Sequence, residues 1–141
     1  MEKEFVPYEQ ALDLKELGFD KECCACYGRY THKASELFLN INNPVNIETL
    51  LREPTAFNQP SFYVKSPTFS QAFRFFREKY KISGEISSDY YLEGKDNEWE
   101  YNIYQLGKED DGYVGTIPIF KTPEDAELAC LKKLIEIVKE R

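Results

Sequence analysis

After Pro7, apolar residues recur at helical spacing through Tyr8, Ala11, Leu12, Leu14 and Leu17, and Gly18-Phe19 supplies a left-handed stop with its hydrophobic contact. The pattern predicts a first helix that opens at Pro7 and closes at Gly18. Two strands are expected next, Cys24 to Tyr30 and Glu36 to Asn42. In the second, Leu37, Leu39 and Ile41 alternate with Phe38, Asn40 and Asn42. The polar run from Thr31 to Ser35 joins them as a hairpin. Asn43-Pro44 breaks the strand, Asn46 caps a short helix through Arg52, and Pro54 ends it by forcing its neighbour out of the helical region.

Residues 54 to 67 hold three prolines, an asparagine and two serines, and read as a loop with a short strand at Phe62 to Val64. Thr68-Phe69-Ser70-Gln71 then matches a capping box, and Phe69, Ala72, Phe73, Phe76 and Tyr80 continue a second, strongly aromatic helix. Three strands follow, Glu85 to Leu92, Trp99 to Leu106 and Tyr113 to Phe120, separated by glycine-containing turns, which predicts an antiparallel meander. Pro118 lacks a ladder donor, so the third of these strands belongs at an edge or ends nearby. Thr122-Pro123-Glu124-Asp125 marks the start of a third helix running to about Lys139. Its apolar stripe holds Ala126, Ala129, Cys130, Leu134, Ile137 and Val138, widened by Leu131 and Ile135.

These elements predict an α+β protein of one domain, mainly antiparallel, with helices packed on one face. A helix-hairpin half (1–53) is joined through the loop 54–67 to a helix-meander-helix half (68–141). At 141 residues the chain buries enough surface for one core without a disulfide or metal staple. Tyr8-x-Gln10-Ala11-Leu12-x-Leu14 and Phe69-x-Gln71-Ala72-Phe73-x-Phe75 match in character at an offset of 61 residues, and each opens a helix-then-strands unit. That echo raises the question of an internal duplication.

Charge narrows the function classes. With 18 basic and 25 acidic side chains the net charge is -7, which argues against a general binder of nucleic acid or of anionic membrane. No apolar run approaches the roughly 20 residues that cross a bilayer, and the first residues lack the apolar stretch of a secretory leader, so a cytoplasmic location is expected. From Ile82 to Glu127 there are 12 acidic residues against 3 lysines. By contrast Pro67 to Lys81 is positive, with Arg74, Arg77 and Lys81 at i, i+3 and i+7 as a short basic ridge. With the acidic meander, Tyr90, Tyr91, Tyr101 and Tyr104 read as exposed anchors of a docking face.

Signals for chemistry are sparse. Cys23-x-x-Cys26 has metal-ligand spacing and His32 follows, but the second pair of a structural zinc site is missing, so no metal or other cofactor is expected. The competing reading, buried reduced thiols filling small core volumes, fits the spacing, since Cys23, Cys24 and Cys26 crowd together far from Cys130 and form no dispersed disulfide framework. His32 is the only histidine, and no serine motif accompanies it. A Cys26–His32 pair would span the hairpin connection without any known signature, so no catalytic residue is assigned. No glycine-rich phosphate loop is present, and Glu109-Asp110-Asp111 lacks the alternation of a calcium loop.

Three segments taken together resemble a known group. They are Phe5 to Leu12 with Leu17-Gly18-Phe19-Asp20, then Phe69 to Tyr80, then Glu124 to Ile135. The group is a family of small hypothetical proteins of gut Bacteroidetes and of their phages and mobile elements. The resemblance implies no activity, and the cysteine cluster lies outside the matching segments. A mobile-element origin favours host-interference or replication-accessory roles. The expected function is a non-enzymatic interaction or accessory protein that binds a protein partner, with self-association left open. Two alternatives remain. One is a nucleic-acid-binding module with the helix-strands-helix order of double-stranded-RNA-binding domains. The other is an acidic decoy of nucleic acid.

Overall fold

The computed structural model describes residues 2–27, 37–39, 64–89, 98–107, 112–116 and 119–141. The chain is a mixed α+β protein that separates into two compact units, Met1–Thr68 and Phe69–Arg141.

In the first unit a short 3-10 turn, Glu2–Glu4, precedes helix α1, Tyr8–Glu16. Pro7, extended at ψ 157°, stands at its N-cap. The stop is made as the sequence demands. Gly18 takes φ 90°, its N–H and that of Phe19 donate to the carbonyls of Lys15 and Leu14, and the Phe19 side chain is buried. Strand β1, Ala25–Tyr27, lies between β2, Leu37–Leu39, and β3, Val64–Lys65, and both pairings are antiparallel. The β1–β2 pair falls within the expected hairpin. Of the strand expected at Phe62 to Val64, Val64 lies in β3 on the other edge of β1, and Phe62 and Tyr63 lie outside the described residues. The connection 28–36, the helix expected from Asn46 to Arg52, and residues 54–63 of the loop lie outside the described residues. Val6 closes this unit: its carbonyl accepts from the Tyr27 hydroxyl at 2.9 Å and the Ser66 hydroxyl at 2.8 Å, and its N–H donates to Pro67. The two hydroxyls are thereby satisfied inside the core.

In the second unit helix α2, Phe69–Phe75, continues as a π-turn over Phe76–Tyr80 and ends at Lys81, a non-glycine residue at φ 57°. Because that one residue reverses the chain, strand β4 begins at once. It spans Ile82–Asp89, whereas the sequence pattern placed its start at Glu85. Strand β5, Glu98–Gln105, pairs with β4 through eight consecutive antiparallel residues. Strand β6, Gly112–Thr116, pairs with β5 with a register shift at Ile103/Tyr104, giving the sheet order β4-β5-β6. Trp99 and Phe120 extend this side as an isolated bridge, and Pro118 lies outside the described residues.

Helix α3, Pro123–Lys139, starts as its sequence requires: the Thr122 hydroxyl accepts from the Asp125 N–H at 3.2 Å, with Pro123 at the first position. Its buried stripe is Ala126, Cys130, Leu131, Leu134, Ile135 and Val138. Ala129 and Ile137, expected at the stripe's centre, are half-buried. Helix α3 lies across β4 and β5, and α2 contacts both α3 and β4. Beneath α3, residues of one parity face the helices: Ile82, Gly84 and Ile86 from β4, Tyr101 and Ile103 from β5. Gly84 is required by this packing, since a Cβ there would stand 2.6 Å from Cys130 Sγ.

The two units differ in topology. The strand that follows the helix is central in the first sheet and at the edge in the second. The seven-residue echo between α1 and α2 is thus amphipathic likeness without a shared strand order.

Candidate interaction face

Strict alternation along β4 and β5 sorts the meander's side chains by parity. The residues opposite the helix-facing set are Ser83, which is buried, with Glu85 and Ser87 on β4, and Glu98, Glu100, Asn102 and Tyr104 on β5, with Glu85 across from Asn102 and Ser87 across from Glu100. This second face is polar and acidic. The Ser87 hydroxyl donates to Glu100 Oε1 at 3.2 Å, while the Asn102 amide donates to Ser87 Oγ at 3.5 Å. The Glu100 carboxylate is held in place across the two strands, and Glu85 beside it is exposed. The two strands together carry Glu85, Asp89, Glu98 and Glu100 and no lysine or arginine.

The tyrosines expected on this face divide. Tyr104 belongs to it and is half-buried. Tyr101 does not: it is 9% exposed, faces α3, and stacks on Phe120 with ring centroids 6.0 Å apart. Burial raises its phenol above the ordinary range. Tyr101 and Tyr104 are an odd number of residues apart, so a regular strand sends them to opposite faces. That signal was present in the sequence. Tyr90 and Tyr91 lie outside the described residues.

The basic ridge is also altered. Arg74 on α2 and Arg77 in the π-turn are both exposed, but the π-turn replaces α-helical spacing after Phe75, and Lys81 sits at the left-handed residue beyond it. The aromatic packing of this turn recruits a further cation: Lys79 Nζ stands 5.5 Å from the ring centroids of both Phe75 and Tyr80. Arg141, at the far end of the chain, joins the same end of the unit by donating to the Tyr80 carbonyl at 3.2 Å and to Gln105 Oε1 at 2.6 Å. Sequence spacing carried no sign of this long-range contact.

The cysteine cluster is split by depth. Cys23 and Cys26 are buried and Cys24 is exposed, all as free thiols. Burial pushes the Cys23 thiol up to about 12 and that of Cys26 up to about 11, which keeps both thiols protonated near neutrality and weak as nucleophiles. Cys130 is pushed up to about 12 for the same reason. His32 lies outside the described residues. Among the described residues no three metal-ligating side chains converge. No helix among them is long and apolar enough to cross a membrane.

Comparison of the chain with family models, with curated proteins and with solved structures gives no match.

Proposed function

We propose that the chain is a cytoplasmic, non-enzymatic interaction module whose meander docks a basic protein partner. The observation that carries this reading is the acidic face formed by Glu85, Glu98 and Glu100, opposite the face taken up by the helices, with one carboxylate fixed by Ser87. A surface of one sign accelerates encounter with a complementary partner, and a carboxylate already ordered loses less freedom on binding than a mobile one. A solubility coat would need no such ordering.

The test is capture from host lysate by the wild-type protein and by a Glu85→Lys, Glu100→Lys variant, at 0.1 M and 1 M salt. A partner held by this face is retained by the wild type at low salt and lost both in the variant and at high salt, as screening lengths fall from about 10 Å to about 3 Å. A partner retained by the variant at both salts overturns the reading.

The helix-strands-helix order of Phe69–Arg141 favours a second reading, a module for double-stranded RNA. Against it, Glu124, Asp125 and Glu127 occupy the start of α3, where a phosphate-gripping module needs lysines. Binding of RNA that depends on Arg74 and Arg77 at physiological salt would support this second reading instead.

A further inference from the structure

The second sheet has two edges of different character. At β6 the ladder shifts register at Ile103/Tyr104, the strand carries Gly112 and Gly115, and Pro118 follows it, all of which blunt an edge. At β4 there is neither a register shift nor a following proline, and its one glycine, Gly84, lies in the buried half of the strand against α3. The strand keeps eight consecutive pairs without a bulge and contains neither proline nor lysine.

The hydrogen-bond alternation identifies which β4 groups face outward. The Leu106 N–H donates to the Lys81 carbonyl at 2.8 Å, while the Lys81 N–H closes the π-turn on the Phe76 carbonyl, so the carbonyl of Lys81 sets the phase of the antiparallel ladder. Stepping by two, Ser83, Glu85, Ser87 and Asp89 direct their amides to β5, and Ile82, Gly84, Ile86 and Ser88 direct theirs away from it. The other side of β5 obeys the same alternation, since Trp99 and Phe120 exchange both bonds at 2.8 and 2.7 Å. Ile82, Ser83 and Gly84 are buried, whereas Glu85 is exposed and Ile86 to Ser88 are half-buried. The accessible part of the edge is its second half, and among the described residues no strand pairs with it.

We infer that β4 accepts an added strand along Glu85–Asp89, and that the occupant is an extended segment with lysine or arginine at alternate positions. The inference rests on the docking reading above and gives it a binding mode. Backbone groups of Ile86 and Ser88 would bind the segment, and every second side chain of the segment would lie beside Glu85 and Ser87 on the acidic face, within reach of Glu100. A second copy of this chain fits poorly. Pairing β4 with its own copy brings Glu85 against an equally acidic strand, between molecules that each carry a net charge of -7.

The probe is a capped eight-residue peptide of alternating Lys and Thr, with two N-methylated versions, each blocking one edge of the peptide. Peptide affinity is read by anisotropy, and exchange of individual amides by NMR. Strand addition predicts binding of the parent peptide and a loss of about tenfold or more in at least one methylated version. It also predicts slowed exchange at Ile86 and Ser88, while Glu85 and Ser87, already bonded to β5, change little. Equal binding of all three peptides without new protection overturns strand addition and leaves the docking face standing. Failure of every peptide to bind contradicts both. Protection of Ile86 and Ser88 that grows with protein concentration, without peptide, replaces the basic segment by a second copy and overturns the proposed occupant.

Discussion

Replacing Gly84 by alanine tests the packing of α3 on the sheet at its tightest point. An ideal Cβ at this position stands 2.6 Å from Cys130 Sγ, 3.1 Å from Leu134 Cδ1 and 3.8 Å from Leu134 Cγ. Ordinary contact begins near 3.4 Å, so helix and strand must part by most of an ångström or the thiol must turn in a site where Cys130 and Leu134 are fully buried. Overpacking of this kind costs about 1 to 3 kcal/mol, which outweighs the ~0.4 to 1 kcal/mol gained by restricting the unfolded chain. Net destabilisation of about 1 to 2 kcal/mol is expected. Cys130→Ala alone leaves a small void and costs about 1 kcal/mol. Combined, the new methyl enters the space of the lost sulfur, so the double variant should recover about 1 kcal/mol or more relative to the sum of the singles. Urea titration followed by Trp99 fluorescence is the assay, because this single tryptophan lies on β5 in the same unit. A neutral Gly84→Ala, or additivity within about 0.3 kcal/mol, would refute the packing of Cys130 over Gly84.

The remaining predictions use the same readout. Truncating Leu134, a fully buried residue on the stripe of α3, to alanine should cost about 2 to 5 kcal/mol, and a loss below about 0.5 kcal/mol would mean that the stripe does not face the sheet. Thr122→Ala removes the acceptor for the Asp125 N–H and should cost about 1 kcal/mol, with Thr122→Ser recovering most of it. The buried thiol of Cys130, raised above its unfolded value, contributes fully below about pH 9. Stability of the second unit should then fall by at most about 1.4 kcal/mol per pH unit as pH rises from about 9 towards 12, and Cys130→Ala should flatten that slope.

How much of this was legible in the sequence depends on the range of the interaction. The ends of α1 and α3 were readable because Gly18-Phe19 and Thr122-Pro123 act on their own turns. The spans of β4 and β5 were readable to within a few residues from alternation and turn composition. The start of β4 was not, because a lysine occupies a left-handed position where glycine would have been the signal. The π-turn at Phe76–Tyr80 distorts the ridge inferred from α-helical spacing, and its aromatic packing carries no periodic mark. Pairing of β3 with β1 joins residues about forty positions apart and follows from the closure around Val6, not from local pattern. Of the candidate site, the acidity of the meander was plain. Its division into two faces needed the observed register, which sent Tyr101 inward and gathered Glu85, Glu98 and Glu100 together.

The proposed docking places the basic partner on one specific face and does not rest on net charge alone. It is tested most directly by titrating the alternating Lys-Thr peptide into three proteins at constant salt. They are the wild type, the Glu85→Lys, Glu100→Lys variant, and a Glu4→Lys, Glu9→Lys variant that reverses two exposed acids of the first unit and has the same net charge. The sheet variant should lose at least about tenfold in affinity, whereas the control stays within about twofold of the wild type. Equal losses in the two variants would contradict the proposed docking and leave the acidity of the meander as a property of the whole surface.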